Sequence, residues 1–163
     1  MTFKTPDLCD RFEAELGKTV RVVAPMFQRY GGRGSFSGEI VTLKVFEDNS
    51  LVRQAFAEDG RGKVLVIDGG GSLRCALVGD QLAILAHKNG WEGVVVYGCL
   101  RDSVDINGID IGVRALNTHP QKSIKKGAGD RDIAVTFGGV TFNPGEFVYA
   151  DEDGVLVSGK RLC

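Results

Sequence analysis

The chain is short of the residues that most often do chemistry by themselves. It has two histidines, His87 and His119, in 163 residues, too few for a His-rich metal site. Its four cysteines, Cys9, Cys75, Cys99 and Cys163, stand far apart with no CxxC pair. That spacing suits neither a zinc site nor a disulfide framework, so reduced thiols in a cytoplasmic protein are expected. No apolar run reaches membrane-spanning length. The opening stretch, MTFKTPDLCDRFEAEL, carries acidic residues where a secretory signal carries an apolar core. Charge of one sign is also missing, with 20 basic residues against 21 acidic. Nucleic-acid binders usually show a basic excess or stripe. The one local cluster, Lys122, Lys125 and Lys126, reads as a solvated loop, and no direct nucleic-acid contact is expected.

What is present is an ordinary apolar content of 43% over a length that suits a single domain, residues 1–163, with a real core. Lys63–Asp68 is a short β-branched run ending in glycines, which predicts a buried strand. A helix over 80–89 and a second buried strand over 93–97 follow. In such a unit the crossover is right-handed and the strands are parallel, so residues 69–72 and Arg101-Asp102 leave the sheet at one edge. Ligands of open α/β sheets bind at that carboxyl edge.

Around this unit the chain reads as scaffold. Thr5 as N-cap, Pro6 and Asp7 predict a helix carrying Leu8, Phe12 and Leu16 and closed by Gly17. Residues 20–25 read as extended, 30–38 as a flexible glycine-rich turn, and 39–46 as a strand. Asp48-Asn49-Ser50 caps a helix to about Glu58. Residues 110–116 read as a further strand, with a turn at Thr118-His119-Pro120 that makes His119 structural. Then Ile133, Val135 and Phe137 alternate, Gly138-Gly139 supplies a two-residue hairpin turn, and Asn143-Pro144-Gly145 and Asp153-Gly154 mark further turns. Asp151, Glu152 and Asp153 read as turn chemistry. The sum is one α/β domain mixing parallel and antiparallel strands.

Two places could carry chemistry. Asp80 opens a helix whose first amides have no internal partner and favour an anion; the alternative is that Asp80 only caps its own helix. Arg101-Asp102 follows the second strand, with Asp105 three residues on. Arginine grips carboxylates bidentately, and strand-end acidic residues are the oxygen donors that Mg²⁺ or Mn²⁺ takes, with most positions left to water and substrate. The alternative is an Arg–Asp salt bridge. Lys44 and Lys63 show no surroundings that would make a Schiff-base nucleophile.

The spacing from Asp80 through Arg101-Asp102 to Asp105 resembles the signature of the RraA-like family. Longer blocks resemble it too: TPDLCD, GGRGSFSGEIVT, FEDNSLVR, KVLVIDGGGSLR, NGWEGVVVYGCLRD, DIGVRAL, VTFGGVTF and GEFVYADEDG. The family includes class II, metal-dependent 4-hydroxy-4-methyl-2-oxoglutarate aldolases that also decarboxylate oxaloacetate, and regulators of ribonuclease E. The resemblance implies a three-layer swivelling-domain-like α/β fold and a ring-shaped homotrimer with sites between subunits. Arg101 would bind the carboxylate of a 2-keto acid substrate and steady the enolate. Asp102 would hold a divalent cation, Mg²⁺ or Mn²⁺. Gly79, Asp80, Gln81 and Leu82 would complete the substrate pocket, and Asp105 would order water around the metal. Since the chain stops at Cys163, soon after its last strand, it is expected to lack the C-terminal extension of the longer aldolases. Decarboxylation is then easier to sustain than aldol cleavage. The length and flanking blocks sit closest to the ribonuclease-regulator branch, whose members bind the enzyme rather than RNA.

Overall fold

The computed structural model describes residues 2–163. In chain order its elements are α1 (Thr5–Arg11), β1 (Val20–Val22), β2 (Gln28–Tyr30), β3 (Phe36–Lys44), α2 (Ser50–Phe56), β4 (Lys63–Asp68), β5 (Ala76–Val78), α3 (Asp80–Lys88), β6 (Gly93–Leu100), α4 (Ser103–Asn107) and β7 (Gly112–Thr118). The two-residue β8 (Asp130–Arg131) and the strands β9 (Val135–Phe137), β10 (Val140–Phe142), β11 (Phe147–Ala150) and β12 (Val155–Ser158) follow.

One mixed sheet runs in the order β1-β12-β11-β3-β4-β6-β7-β2, with β5 attached to β6 and β8 to β3. Its centre is parallel: β3 with β4, β4 with β6, and β6 with β7. Its flanks are antiparallel. A central parallel strand is covered on both faces, so it reads as an unbroken apolar run. In β4, Leu65 and Ile67 face a core built with α2 and α3. Val64 and Val66 face a second core, capped by the β9–β10 hairpin. The result is three layers: helices, sheet and hairpin. Gly138 and Gly139, at φ +60° and +75°, make the tight turn that joins β9 to β10, where a side chain would be strained.

Several boundaries differ from the sequence reading. The first helix ends at Arg11, and a single 3₁₀ turn at Glu13–Glu15 follows. That tighter turn lets Phe12 and Leu16 fold back with Leu8 onto Tyr149 and Leu156. Thr5 is not the N-cap, which is Lys4. The helix start is tied instead across the fold, since Thr5 N and Oγ1 donate to the Asp151 carboxylate at 2.5 and 2.7 Å. β3 begins three residues early because Phe36–Glu39 pair with β11. The glycine-rich stretch before it is not flexible packing-free chain: Gly31 N donates to Asn107 Oδ1, and Arg33 pairs with Glu92 and Asp110. That pairing keeps Asp110 in the turn, so β7 starts two residues later than expected. Ile133 lies outside β9, its carbonyl accepting from the buried Thr42 hydroxyl at 2.6 Å.

Candidate active site

β6 runs to Leu100 rather than stopping at Tyr97, because its end gains a partner, β5. Ala76 pairs with Cys99 and Val78 with Leu100, in parallel. Two segments therefore leave the carboxyl edge side by side: Gly79-Asp80 after β5, and Arg101-Asp102 after β6. Arg101 N donates to Val78 O at 2.9 Å and locks them together.

Asp102 is the joint. It adopts a left-handed conformation, φ +58° and ψ +40°, which a non-glycine residue rarely takes. Its carbonyl accepts from Ile106 N at 2.9 Å and so starts α4. Its carboxylate makes no cap on that helix; it turns to α3, where Oδ2 accepts from Asp80 N at 3.1 Å. Asp80 does not cap its own helix: the N-cap is Gly79, and Asp80 is the first residue of α3. Its backbone anchors Asp102, while its side chain accepts from Gln81 N at 2.8 Å. Space beside Gly79 is tight: a Cβ there would lie 2.9 Å from Asp102 Oδ2 and 3.6 Å from Arg101 Cγ and Nε, so a side chain would push on the Asp102 carboxylate.

The salt-bridge alternative fails. Asp102 uses Oδ2 on an amide, and Arg101 pairs with no carboxylate among the described residues. Nor do the Gly79 and Leu82 amides find an acceptor among those residues. A half-buried guanidinium and two unpaired amides at a helix N-terminus together suit a small carboxylate.

Asp105 is exposed on the first turn of α4, and its carboxylate has no partner among the described residues. Those residues contain no group of three His, Cys, Asp or Glu that could hold a metal, which excludes a structural zinc-type cage there. A Mg²⁺ or Mn²⁺ site resting on one or two carboxylates needs no such group. Asp102, whose Oδ1 has no hydrogen-bond partner among the described residues, fits that kind of site.

Other candidates have contacts of their own, although His119 N donates to Leu100 O at 2.9 Å and the loop ahead of the lysines starts where Ala76 N donates to Gln121 O at 2.8 Å. The Gly69–Gly71 stretch is held at the level of Tyr97, whose carbonyl accepts from Gly69 N and Gly71 N at 3.0 and 3.1 Å. His119 Nδ1 accepts from Gln121 N within its turn, and His87 Nδ1 meets the Asp110 carbonyl. Lys122, Lys125 and Lys126 are exposed in a loop whose backbone is pinned by Asp48. What the sequence reading missed is β5. Its only signal was the apolar triplet Ala76–Val78 immediately before Gly79-Asp80.

Fold and site together define a class: an α/β protein whose parallel-sheet edge carries a left-handed aspartate, an arginine with no carboxylate partner among the described residues, and two helix-start amides with no acceptor among them. The chain belongs to the RraA-like family, whose Aldolase/RraA profile matches residues 5–157. A protein of Dechloromonas aromatica (strain RCB) that bears the provisional name 4-hydroxy-4-methyl-2-oxoglutarate aldolase is 86% identical over 162 residues, 99% of each chain. One of the same provisional name from Pseudomonas aeruginosa (strain LESB58) is 61% identical, over 99% of this chain and 98% of that one. Among solved structures, one described as the RNA-processing inhibitor RraA from Thermus thermophilis superposes with a TM-score of 0.92 at 44% identity, covering 98% of this chain and 94% of that one. Another, described as an S-adenosylmethionine:2-dimethylmenaquinone methyltransferase from Geobacillus kaustophilus HTA426, gives 0.93 at 51% identity, covering 98% and 97%. One fold thus carries three names, and the site must decide among activities.

Proposed function

We propose that this chain is a divalent-metal-dependent lyase. It would cleave 4-hydroxy-4-methyl-2-oxoglutarate to two molecules of pyruvate and decarboxylate oxaloacetate to pyruvate. The observation that carries this reading is the unpaired Arg101 guanidinium beside the Asp102 carboxylate, itself anchored by the Asp80 amide at 3.1 Å. The names borne by the relatives at 86% and 61% identity point the same way.

Both reactions break a carbon–carbon bond whose electron pair collapses into a pyruvate enolate, which then takes a proton. Asp102, helped by Asp105, would hold a divalent cation, Mg²⁺ or Mn²⁺. When bound, that cation supplies Lewis-acid polarisation of the 2-keto oxygen. Arg101 would bind the substrate carboxylate and place fixed positive charge where the enolate develops. The Gly79 and Leu82 amides would hold the second carboxylate, while Asp80 and Gln81 shape the pocket wall. Because Asp102 is pinned by a backbone amide, it needs no reorganisation as charge moves. Residues 1–163 would act as one RraA-like domain.

The deciding measurement is pyruvate release from oxaloacetate by purified protein. Activity should vanish with EDTA, return with Mg²⁺ or Mn²⁺, and be lost in Asp102→Ala. Equal activity with and without chelator would sink the proposal.

The 44%-identical RraA structure supports a second role on the same chain, binding to ribonuclease E as a protein regulator in the cytoplasm. There Asp102→Ala should still inhibit RNA cleavage, and absence of inhibition by micromolar protein would remove this role. Assembly as a homotrimer fits the placement of the site at an open edge flanked by exposed Phe46, Leu73, Val104 and Ile124. Sedimentation at monomer mass would refute it.

A further inference from the structure

A second arginine pair lies away from the proposed active site. Arg114 on β7 and Arg29 on β2 are direct cross-strand partners, so two guanidinium groups emerge on one face of the sheet, where like charges repel. Arg114 is only 2% exposed. Burial first, then Arg29, pull its pKa down to about 10 against an upward pull from Asp151. Yet no carboxylate among the described residues pairs with it. Nη1 donates to Val113 O at 3.0 Å, and Nη2 to Gly34 O and Asp151 O at 2.8 and 3.0 Å. Those bonds use three of its five N–H groups, and Nε–H has no acceptor among the described residues. The Asp151 carboxylate is committed to Thr5 and to the Asp153 and Gly154 amides. Arg29 meets only the exposed Glu152. A buried cation whose hydrogen bonds go to neutral carbonyls is an expensive arrangement, eased only in part by the Phe36 ring and the nearby Asp151 charge, and a joining anion would ease it further.

Beside Arg114 lies a cleft of about 300 Å³, walled on one side by Val23, Ala24, Phe27 and Val155, reached by both arginines, and bounded on the other by the Asp151–Asp153 turn. That volume is at the small end of ligand pockets. Arg114 pairs with Val95, six residues before Arg101 on the same course of chain, which puts it about 20 Å away along the strand direction. It packs on Phe36, in the core on the hairpin side of the sheet, whereas α3 covers the other side. The two sites are separate.

We infer that this cleft binds a small monocarboxylate with a compact apolar body. The carboxylate would sit on Arg114 and Arg29, displacing Glu152, and the body would cover Val23, Phe27 and Val155. Arginine's planar fork matches a carboxylate. A strongly hydrated dianion such as phosphate would have to give up its water against an apolar wall and gain nothing there.

The test titrates phenylacetate, and separately inorganic phosphate, into the full chain carrying Arg101→Ala, so that the proposed active site cannot report. Calorimetry should find one phenylacetate site per chain in the millimolar range and no phosphate binding. Affinity should fall about tenfold in Arg29→Ala, a change at an exposed residue that leaves folding intact. It should disappear in Ala24→Trp, which fills the cleft from an exposed position. No heat with phenylacetate, phosphate binding as tight as phenylacetate, or affinity unchanged in both variants would each overturn the inference.

Discussion

Arg101 and Asp102 at the carboxyl edge of the parallel strands contrast with Arg114 on β7 and Asp151 just after β11, which meet through a hydrogen bond. Both are arginine–aspartate neighbourhoods in one fold. In the second, every oxygen of Asp151 is used: its carboxylate takes Thr5 and two turn amides, and its carbonyl takes Arg114. At the edge, the Arg101 side chain has no hydrogen-bond partner among the described residues, the Asp102 carboxylate accepts one amide while its carbonyl accepts Ile106 N, and two further amides find no acceptor among those residues. Satisfied polar groups hold a fold together, whereas unsatisfied exposed ones are available to a ligand. The contrast separates residues whose loss should cost stability from residues whose loss should cost only activity.

The largest expected effect tests that separation directly. Arg101→Ala should lower oxaloacetate turnover by about 10²-fold or more. Its urea midpoint should stay put, within about 0.5 kcal/mol, since the side chain holds nothing. A midpoint shift as large as that of the next variant would break the comparison. Asp151→Ala strands the Thr5 and Asp153 amides and should cost about 2–4 kcal/mol by urea unfolding, with turnover per folded molecule unchanged.

Asp48 sharpens the point through pH. Burial pushes its carboxyl up, but hydrogen bonds from Ser50 N and Oγ and from the Lys126 and Ala128 amides outweigh it and hold the pKa at about 2 against an ordinary 3.8. The folded value lies below the unfolded one. The stabilisation is therefore complete above about pH 4 and drains away as pH falls toward about 2. Asp48→Asn should be on the order of 2 kcal/mol less stable at neutral pH and should lose that acid-limb dependence in pH-resolved unfolding. An unchanged acid limb would remove Asp48 from the account. The smallest effect belongs to Gly79→Ala. Its new Cβ, 2.9 Å from Asp102 Oδ2, should lower kcat/KM about tenfold with under about 1 kcal/mol of stability lost. Full activity would mean Asp102 can shift without consequence.

Local patterns made much of this legible in the sequence. The β4–α3–β6 unit, the parallel edge and the Gly138-Gly139 turn follow from runs of apolar residues and from glycine chemistry, which act between near neighbours. What stayed hidden depends on distant partners. β5 is three residues long and is a strand only because the end of β6 pairs with it. The cap on α1 comes from Asp151, 146 residues away. Arg114 looked like an ordinary strand residue, since nothing in its neighbours tells that Gly34 and Asp151 offer it carbonyls. At the site, residue types pointed to an anion and a metal, but whether Arg101 was paired with Asp102 needed the fold.

The left-handed backbone of Asp102 carries a consequence for the history of such a chain. Holding a non-glycine residue there costs about 1 kcal/mol, and the amide of Asp80 returns a similar amount. Glycine at this position would give up both, so Asp102→Gly should unfold at nearly the wild-type urea concentration while releasing no pyruvate. A clear loss of stability would contradict this. With that outcome, catalysis in this scaffold would be thermodynamically detachable: a single codon would silence it and leave an intact protein free to be kept for what its surface binds.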